Sequence, residues 1–208
     1  MTEREFDVIV IGAGSSGEVC AGRLADGGLR VAIVEEHLVG GECSYYACMP
    51  SKALLRPGEA LAEVKRVPGA AEAVTGTLDA GVVLERRDEV IRGRDDSAQL
   101  PWLSDHGIEL LRGSAELSGE RAVTVGGEEV RAAKAIVIAT GSRAALPPIE
   151  GLAEARPWTN REATTATEVP APLILAPMAF RSTASSNTSG SVAAFTMVLC
   201  PRASVAAI

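Results

Sequence analysis

The chain has 208 residues, 47% of them hydrophobic but only 3% aromatic, which suits an Ala/Val/Leu/Gly-rich α/β protein rather than a β-sandwich. A formal net charge of -7 gives nucleic acid and anionic membranes nothing to hold. No apolar run approaches the roughly 18 residues of a membrane span, and the acidic start MTEREFDVIVIGAG is no secretory leader, so a cytoplasmic protein is expected, with its four cysteines outside structural disulfides.

FDVIVI (6–11) is a short β-branched run that reads as a buried strand. GAGSSG follows, then EVCAGRLADGG, apolar at helical spacing and stopped by Gly27-Gly28. RVAIVE (30–35) is a second strand, so residues 6–35 form a βαβ unit. Residues 51–65 read as a helix kinked or broken at Pro57. Another helix is expected over 79–103. Three short strands around 108–117, 121–125 and 128–132 then read as an antiparallel meander. KAIVIATGS (134–142) is a further buried strand ending in a turn.

From about residue 171 the composition changes. No acidic residue lies beyond that point, and only Arg181 and Arg202 are basic. A folded surface needs interspersed charge, so 171–208 is expected to be a poorly ordered or frame-shifted tail. Residues 1–170 are expected to form one domain.

Gly12-Ala13-Gly14-Ser15-Ser16-Gly17 is G-x-G-x-x-G between a strand and a helix, the context this motif requires. Gly12 permits the tight turn, Gly14 the approach of a pyrophosphate, and Gly17 the packing of helix on strand. Free amides and the helix dipole at Ser15 and Ser16 attract the phosphates. Glu35, closing the second strand, stands where a carboxylate accepts from an adenosine ribose. The motif alone does not separate FAD from NAD.

GGECSYYACMPSK (40–52) sets Cys43 and Cys48 five residues apart. On a straight helix they would point about 140° apart and lie about 7.5 Å apart along the axis. A disulfide needs Cα atoms within roughly 4.4–6.8 Å, so the pair can bond only across irregular backbone. Gly40-Gly41 and Pro50 are the expected sources of that irregularity. Pro50 suits a first helical turn, which places Cys48 near a helix N-terminus, where thiolate is favoured. Three uses compete: a redox dithiol, zinc ligation with His37, and two unrelated core cysteines. The zinc reading matches no usual spacing and lacks a fourth ligand. Cys20 reads as a core residue, and His37 and His106 as solvated surface residues.

GAGSSG, AIVE, GGECSYYACMPSK and KAIVIATGSRAALPPIEG together resemble the FAD half of the class I pyridine nucleotide-disulfide oxidoreductases, the family of dihydrolipoamide dehydrogenase, glutathione reductase and mercuric reductase. The resemblance covers about residues 5–170. It implies a Rossmann-like three-layer α/β FAD-binding domain, a parallel sheet plus a small antiparallel meander. It also implies that Cys43 is the interchange thiol, Cys48 the charge-transfer thiol against the flavin, and Lys52 the lysine near the flavin's reactive nitrogen. Gly41 belongs to the same motif as a cofactor-site residue, and Ala139-Thr140-Gly141 match the turn that packs on the cofactor. Glu42 departs from the family's usual Thr, and Tyr45-Tyr46-Ala47 from its smaller residues. The two tyrosines are expected to narrow the substrate pocket or shield the disulfide.

The implied reaction passes electrons from NAD(P)H through FAD and the Cys43/Cys48 dithiol to a small-molecule or disulfide substrate. Members of the family are homodimers. A second glycine loop for NAD(P)H, a Gly-Asp turn completing the FAD site, and a dimerisation domain with its His–Glu pair have no counterpart in this sequence. A reading-frame shift or truncation near 171 is therefore expected. The alternative is a catalytically inactive fragment or module binding FAD or its ADP half. No metal site is expected.

Overall fold

Every position of Phe6–Ile11 except Asp7 is apolar, and that run lies at the centre of a sheet. The computed structural model describes residues 4–170, 173–179 and 195–201, in two units, Met1–Ser142 and Arg143–Ile208. In the first unit, β1 (Arg4–Ile11) runs parallel to β2 (Val31–Glu35) on one side and to β6 (Glu128–Ile138) on the other. β3 (Glu109–Arg112) extends the parallel set beside β2. Antiparallel β5 (Ala122–Val125) and β4 (Ala115–Gly119) continue beyond β6. The result is one mixed, Rossmann-like sheet of six strands in the order β3-β2-β1-β6-β5-β4.

Strand geometry sends successive side chains to opposite faces. Val8, Val10, Val31 and Ile33 pack with Ala21, Leu103 and Ile108 of the helical layer. Phe6, Ile9, Ile11, Ala32 and Val34 pack with Leu111, Val123, Val125 and Val130. Burial on both faces is why these strands read as unbroken apolar runs rather than alternating ones. The helices α1 (Ser15–Asp26), α2 (Gly41–Tyr45), α3 (Cys48–Lys65), α4 (Ala80–Val90) and α5 (Leu100–Asp105) complete the unit. Trp102 of α5 lies on α1 at Gly22, where an added Cβ would stand 2.8 Å from the indole. His106 joins that contact, its ring 4.3 Å from Trp102, so it is not a freely solvated side chain.

Four expectations about local structure are corrected. Helix α3 begins three residues early, at Cys48, and passes through Pro57 without a break. Proline cannot donate to the carbonyl four residues back. Arg86 of α4 replaces that donor, its Nη1 giving a hydrogen bond to the Ala53 oxygen at 2.9 Å. Second, the helix expected over 79–103 is two helices. Asp79 caps the first by accepting from the amides of Gly81 and Val82, and the backbone then turns left-handed through Arg92, Gly93 and Arg94. Third, the strand expected at 108–117 divides at Gly113 (φ 144). Its first part is parallel to β2, outside the meander. Fourth, the two strands expected at 128–132 and 134–142 are the single strand β6. Its second half is not buried: Ile138 is 64% exposed. β5 pairs only with Glu128–Arg131, and among the described residues no strand flanks the outer edge of β6 beyond that point.

In the second unit, Thr159 caps α6 (Asn160–Thr165) in a reciprocal box with Glu162, which accepts the Thr159 amide at 2.7 Å. β7 (Leu173–Ala179) and β8 (Phe195–Pro201) pair antiparallel. The rest of the tail expected to be disordered or frame-shifted lies outside the described residues. Among the described residues no helix is long and apolar enough to cross a membrane.

Candidate functional site

The loop between β1 and α1 is shaped by what crosses it. Gly12 (φ 99) donates its amide to the Val34 oxygen at 2.7 Å. A Cβ there would meet the Ala139 oxygen at 2.4 Å, and one on Gly17 would meet the Gly12 oxygen at 1.8 Å. Gly12 is thus required for close packing with the Ala139-Thr140-Gly141 turn, and Gly17 for close packing of α1 on Gly12; the turn is itself tied down by Ala139 N–H to the Ile11 oxygen at 2.8 Å. Gly14 is different, since nothing lies within 4 Å of where its Cβ would be. The space beyond it is open to a ligand. No side chain caps α1, whose first residues are the exposed Ser15 and Ser16, so its first-turn amides face solvent as an anion cradle.

Glu35 ends β2 with its carboxylate turned towards this loop. Oε2 accepts the Ala13 amide at 2.7 Å and Oε1 the His37 amide at 2.8 Å. Each oxygen keeps a second lone pair for a ribose hydroxyl. Burial, then the charge of Glu35, pushes Glu18 of α1 up to about 7. Beside Glu35 opens a cavity of about 130 Å³ lined by Gly12, Val34, Glu36, Gly113, Ser114 and Thr140, among others. That is below the roughly 300–1,000 Å³ of a complete small-ligand pocket and suits one nucleoside moiety rather than a whole dinucleotide. Glu36, Gly113, Ser114 and Ala115 were not anticipated from sequence. The only signal is the Gly113 turn in LLRGSAEL, which resembles an ordinary strand break.

The cysteine segment is knitted to the same loop. Gly40 donates its amide to the Ala13 oxygen at 2.7 Å, and a Cβ on Gly41 (φ 59) would stand 2.7 Å from the Gly14 Cα. The Gly-Gly pair therefore lets two backbones touch. Cys43 lies in the short helix α2 and Cys48 is the first residue of α3. The irregularity between them is at Tyr46 and Ala47 (φ -132 and -131), not at the flanking Gly-Gly or Pro50. This break sets the Cys43 thiol beside Cys48, both of them free cysteines and partly buried. The bond to Cys48, followed by burial and the charge of Cys48, raises the Cys43 thiol above the usual range, with Lys52 opposing. Lys52 is one turn along α3 from Cys48 and is exposed.

Tyr45 packs into the interior with its hydroxyl at the Asp95–Asp96 loop. It is buried at 3% exposure, and its hydroxyl donates to the Asp95 oxygen at 3.5 Å. Burial is the main cause that raises its pKa. Only Tyr46, half-buried, remains beside the pair. His37 is exposed and pairs with Glu36 at 3.5 Å. Among the described residues no three His, Cys, Asp or Glu side chains gather as a metal site would need.

Residues 6–176 match the family described as pyridine nucleotide-disulphide oxidoreductase. The mercuric reductase of Staphylococcus aureus is 31% identical over 168 residues, covering 80% of this chain and 30% of that protein. The dihydrolipoyl dehydrogenase of Acholeplasma laidlawii is 31% identical over 154 residues, covering 73% of this chain and 45% of that one. Among solved structures, the Cu(II) complex of the HOCl-induced flavoprotein disulfide reductase RclA from Escherichia coli superposes with a TM-score of 0.63 at 25% identity, over 78% of this chain and 34% of that one. The chain thus spans 30–45% of the length of these relatives.

Proposed function

This chain belongs to the pyridine nucleotide-disulphide oxidoreductase family, and from that premise we propose that it is the FAD-binding, dithiol-carrying part of a cytoplasmic NAD(P)H-dependent disulfide reductase. The observation that carries this reading is the junction of two sites. The open glycine loop over α1 and the Cys43–Cys48 pair share backbone contacts at Ala13–Gly14 and Gly40–Gly41. A dinucleotide laid along that loop fits the residues present. Glu35 and the adjoining cavity would hold the adenosine end, the first-turn amides at Ser15 and Ser16 would hold the phosphates, and the Ala139–Gly141 turn would back the cofactor. FAD, when bound, supplies the two-electron relay between a nicotinamide and the dithiol.

The chain's own residues do the thiol chemistry. The Cys43 sulfur attacks one sulfur of a substrate disulfide, and the displaced thiolate leaves and takes a proton. The Cys48 sulfur then attacks Cys43 of the mixed disulfide, its proton passing to the second substrate sulfur, which leaves as a thiol as the Cys43–Cys48 disulfide forms. One disulfide is reduced and one formed, so electrons balance until the pair is reduced again. Cys48 raises the Cys43 thiol, so the attack of Cys43 depends on a base that takes its proton. In complete members of the family the dimer partner provides it. Lys52, one turn from Cys48, favours the anionic state of the pair.

A second reading, a domain that binds FAD or only its ADP half without turnover, is favoured by the cavity of about 130 Å³ beside Glu35, which suits one nucleoside moiety. Titrating the purified chain with FAD and with ADP, each followed by calorimetry, tests the binding claim. Both should bind, and Gly17→Ala should abolish both. If neither binds the unsubstituted chain, the proposal fails. If FAD binds no more tightly than ADP, and the FAD-loaded chain gains no long-wavelength charge-transfer band when the dithiol is reduced, the second reading stands.

A further inference from the structure

Between the adenosine cavity and the dithiol lies a bracket of side chains that neither site uses directly. Asp96, whose side chain is 13% exposed, accepts the Val39 amide at 2.8 Å and pairs with the Arg112 guanidinium. A second nitrogen of Arg112 donates to the His37 oxygen at 2.6 Å. The neighbouring Asp95 oxygen receives the Tyr45 hydroxyl. The Asp95–Asp96 loop therefore holds the chain on both sides of Gly40-Gly41, at Val39 before it and at Tyr45 of the cysteine helix after it, while Arg112 of β3 holds His37.

The other end of the bracket reaches the cavity. Arg112 immediately precedes Gly113, Ser114 and Ala115 in the cavity wall, and Gly113 donates to the Glu35 oxygen at 3.0 Å. Glu35 in turn accepts from the amides of Ala13 and His37. The loop that carries Asp95 and Asp96 is itself strained. Arg92 (φ 51) and Arg94 (φ 66) stand in the left-handed region on either side of Gly93. Such backbone persists where surrounding contacts over-determine it, and the turn's own bonds from Arg94 to Ile91 and from Asp95 to Arg92, buried Ile91, and the contacts of Asp95 and Asp96 surround it.

We propose that Asp96 and Arg112 are positioning residues that couple nucleotide occupancy beside Glu35 to the reactivity of the Cys43–Cys48 pair. The inference rests on the nucleotide reading above. A nucleotide in the cavity presses on the Gly113–Ala115 wall and on Glu35. Arg112 carries that constraint to His37, Asp96 carries it to Val39, and the cysteine helix that follows is held more tightly. With the cavity empty, the segment relaxes and Cys43 is more reactive. Coupling of this kind is worth a 5- to 150-fold change in general, and a small domain is expected near the lower end.

The test is differential alkylation of the full reduced chain with iodoacetamide, with and without saturating ADP, each cysteine being followed separately by mass spectrometry. ADP should slow Cys43 alkylation about fivefold in the unsubstituted chain and less than about twofold in Asp96→Asn. Asn can still accept the Val39 amide but loses the charge that holds Arg112. Arg112→Lys keeps a positive charge but cannot span His37 and Asp96 together, and it should lose the coupling as well. A merely structural role would speed alkylation equally with and without ADP, leaving the ratio unchanged. Retention of the full ADP effect in either variant overturns the proposal while leaving the nucleotide site intact. Failure of ADP to bind the unsubstituted chain overturns both.

Discussion

Proline in the middle of α3 should make Arg86 worth more than an exposed arginine usually is. The Ala53 carbonyl has no amide partner at position 57 and receives the Arg86 guanidinium at 2.9 Å instead. A hydrogen bond from a charged donor contributes about 1.5–3 kcal/mol. Arg86 is largely solvent-exposed, so the lower end, about 1.5 kcal/mol, is expected for Arg86→Ala. In a Pro57→Ala background the new amide can bond Ala53 directly, and the same Arg86→Ala change should cost no more than about 0.5 kcal/mol. The difference, about 1 kcal/mol of coupling, is within reach of a double-mutant cycle. Urea unfolding of the four proteins, followed by far-ultraviolet circular dichroism, measures it provided that the denaturant slopes agree. If Arg86→Ala costs the same in both backgrounds, Arg86 is not standing in for the missing amide, and the continuity of α3 through Pro57 needs another cause.

Glu18 makes stability depend on pH. Burial and Glu35 raise it from 4.5 to about 7, so the folded state holds its proton more tightly than the unfolded chain does. The associated stability is present below about pH 4.5 and is lost as pH rises through about 7. After discounting for solvent on the half-exposed carboxyl, the loss is about 1 kcal/mol. Glu18→Gln should remove that slope and stabilise the chain at pH 8 in thermal melts, and an unchanged slope would show that the carboxyl is already solvated. Gly41→Ala should be destabilised by at least about 1 kcal/mol from the left-handed backbone alone and should also lose ADP binding, because its Cβ would press on Gly14; normal ADP affinity would refute the shared backbone contact. Cys48→Ala should bring Cys43 down towards the usual thiol range by removing its hydrogen bond and neighbouring charge, which alkylation rates against pH will show as a curve moved to lower pH. A Cys43 profile unmoved by that change would mean the two thiols do not interact.

The sequence made the nucleotide half of the site legible because its requirements are local. Gly12, Gly14 and Gly17 sit at fixed steps between a strand and a helix, and the structure shows two of them filled by backbone contacts and the third left open. The approach of Cys43 to Cys48 was legible for the same reason, although the break that joins them lies at Tyr46–Ala47, where no residue signals a turn. Long-range partners were not legible. Nothing near Pro57 in the chain predicts that Arg86 would rescue its helix, and nothing in RGRDD predicts that Asp96 would hold Val39 across 57 residues. Tyr45 was misjudged because an aromatic next to a thiol looks like a pocket wall until its hydroxyl is found on the Asp95 carbonyl. The break at Gly93 was hidden because apolar residues continue at helical spacing on both sides of it.

The account turns on whether a flavin ring comes to rest against the Cys48 sulfur. The direct measurement is the visible spectrum of the purified chain after saturation with FAD and removal of excess, before and after reduction by dithionite. The account predicts a bound-flavin spectrum that gains a long-wavelength band once the dithiol is reduced, and loss of that band, but not of the flavin, in Cys48→Ser. A chain that emerges colourless, or that keeps the band without Cys48, would contradict it.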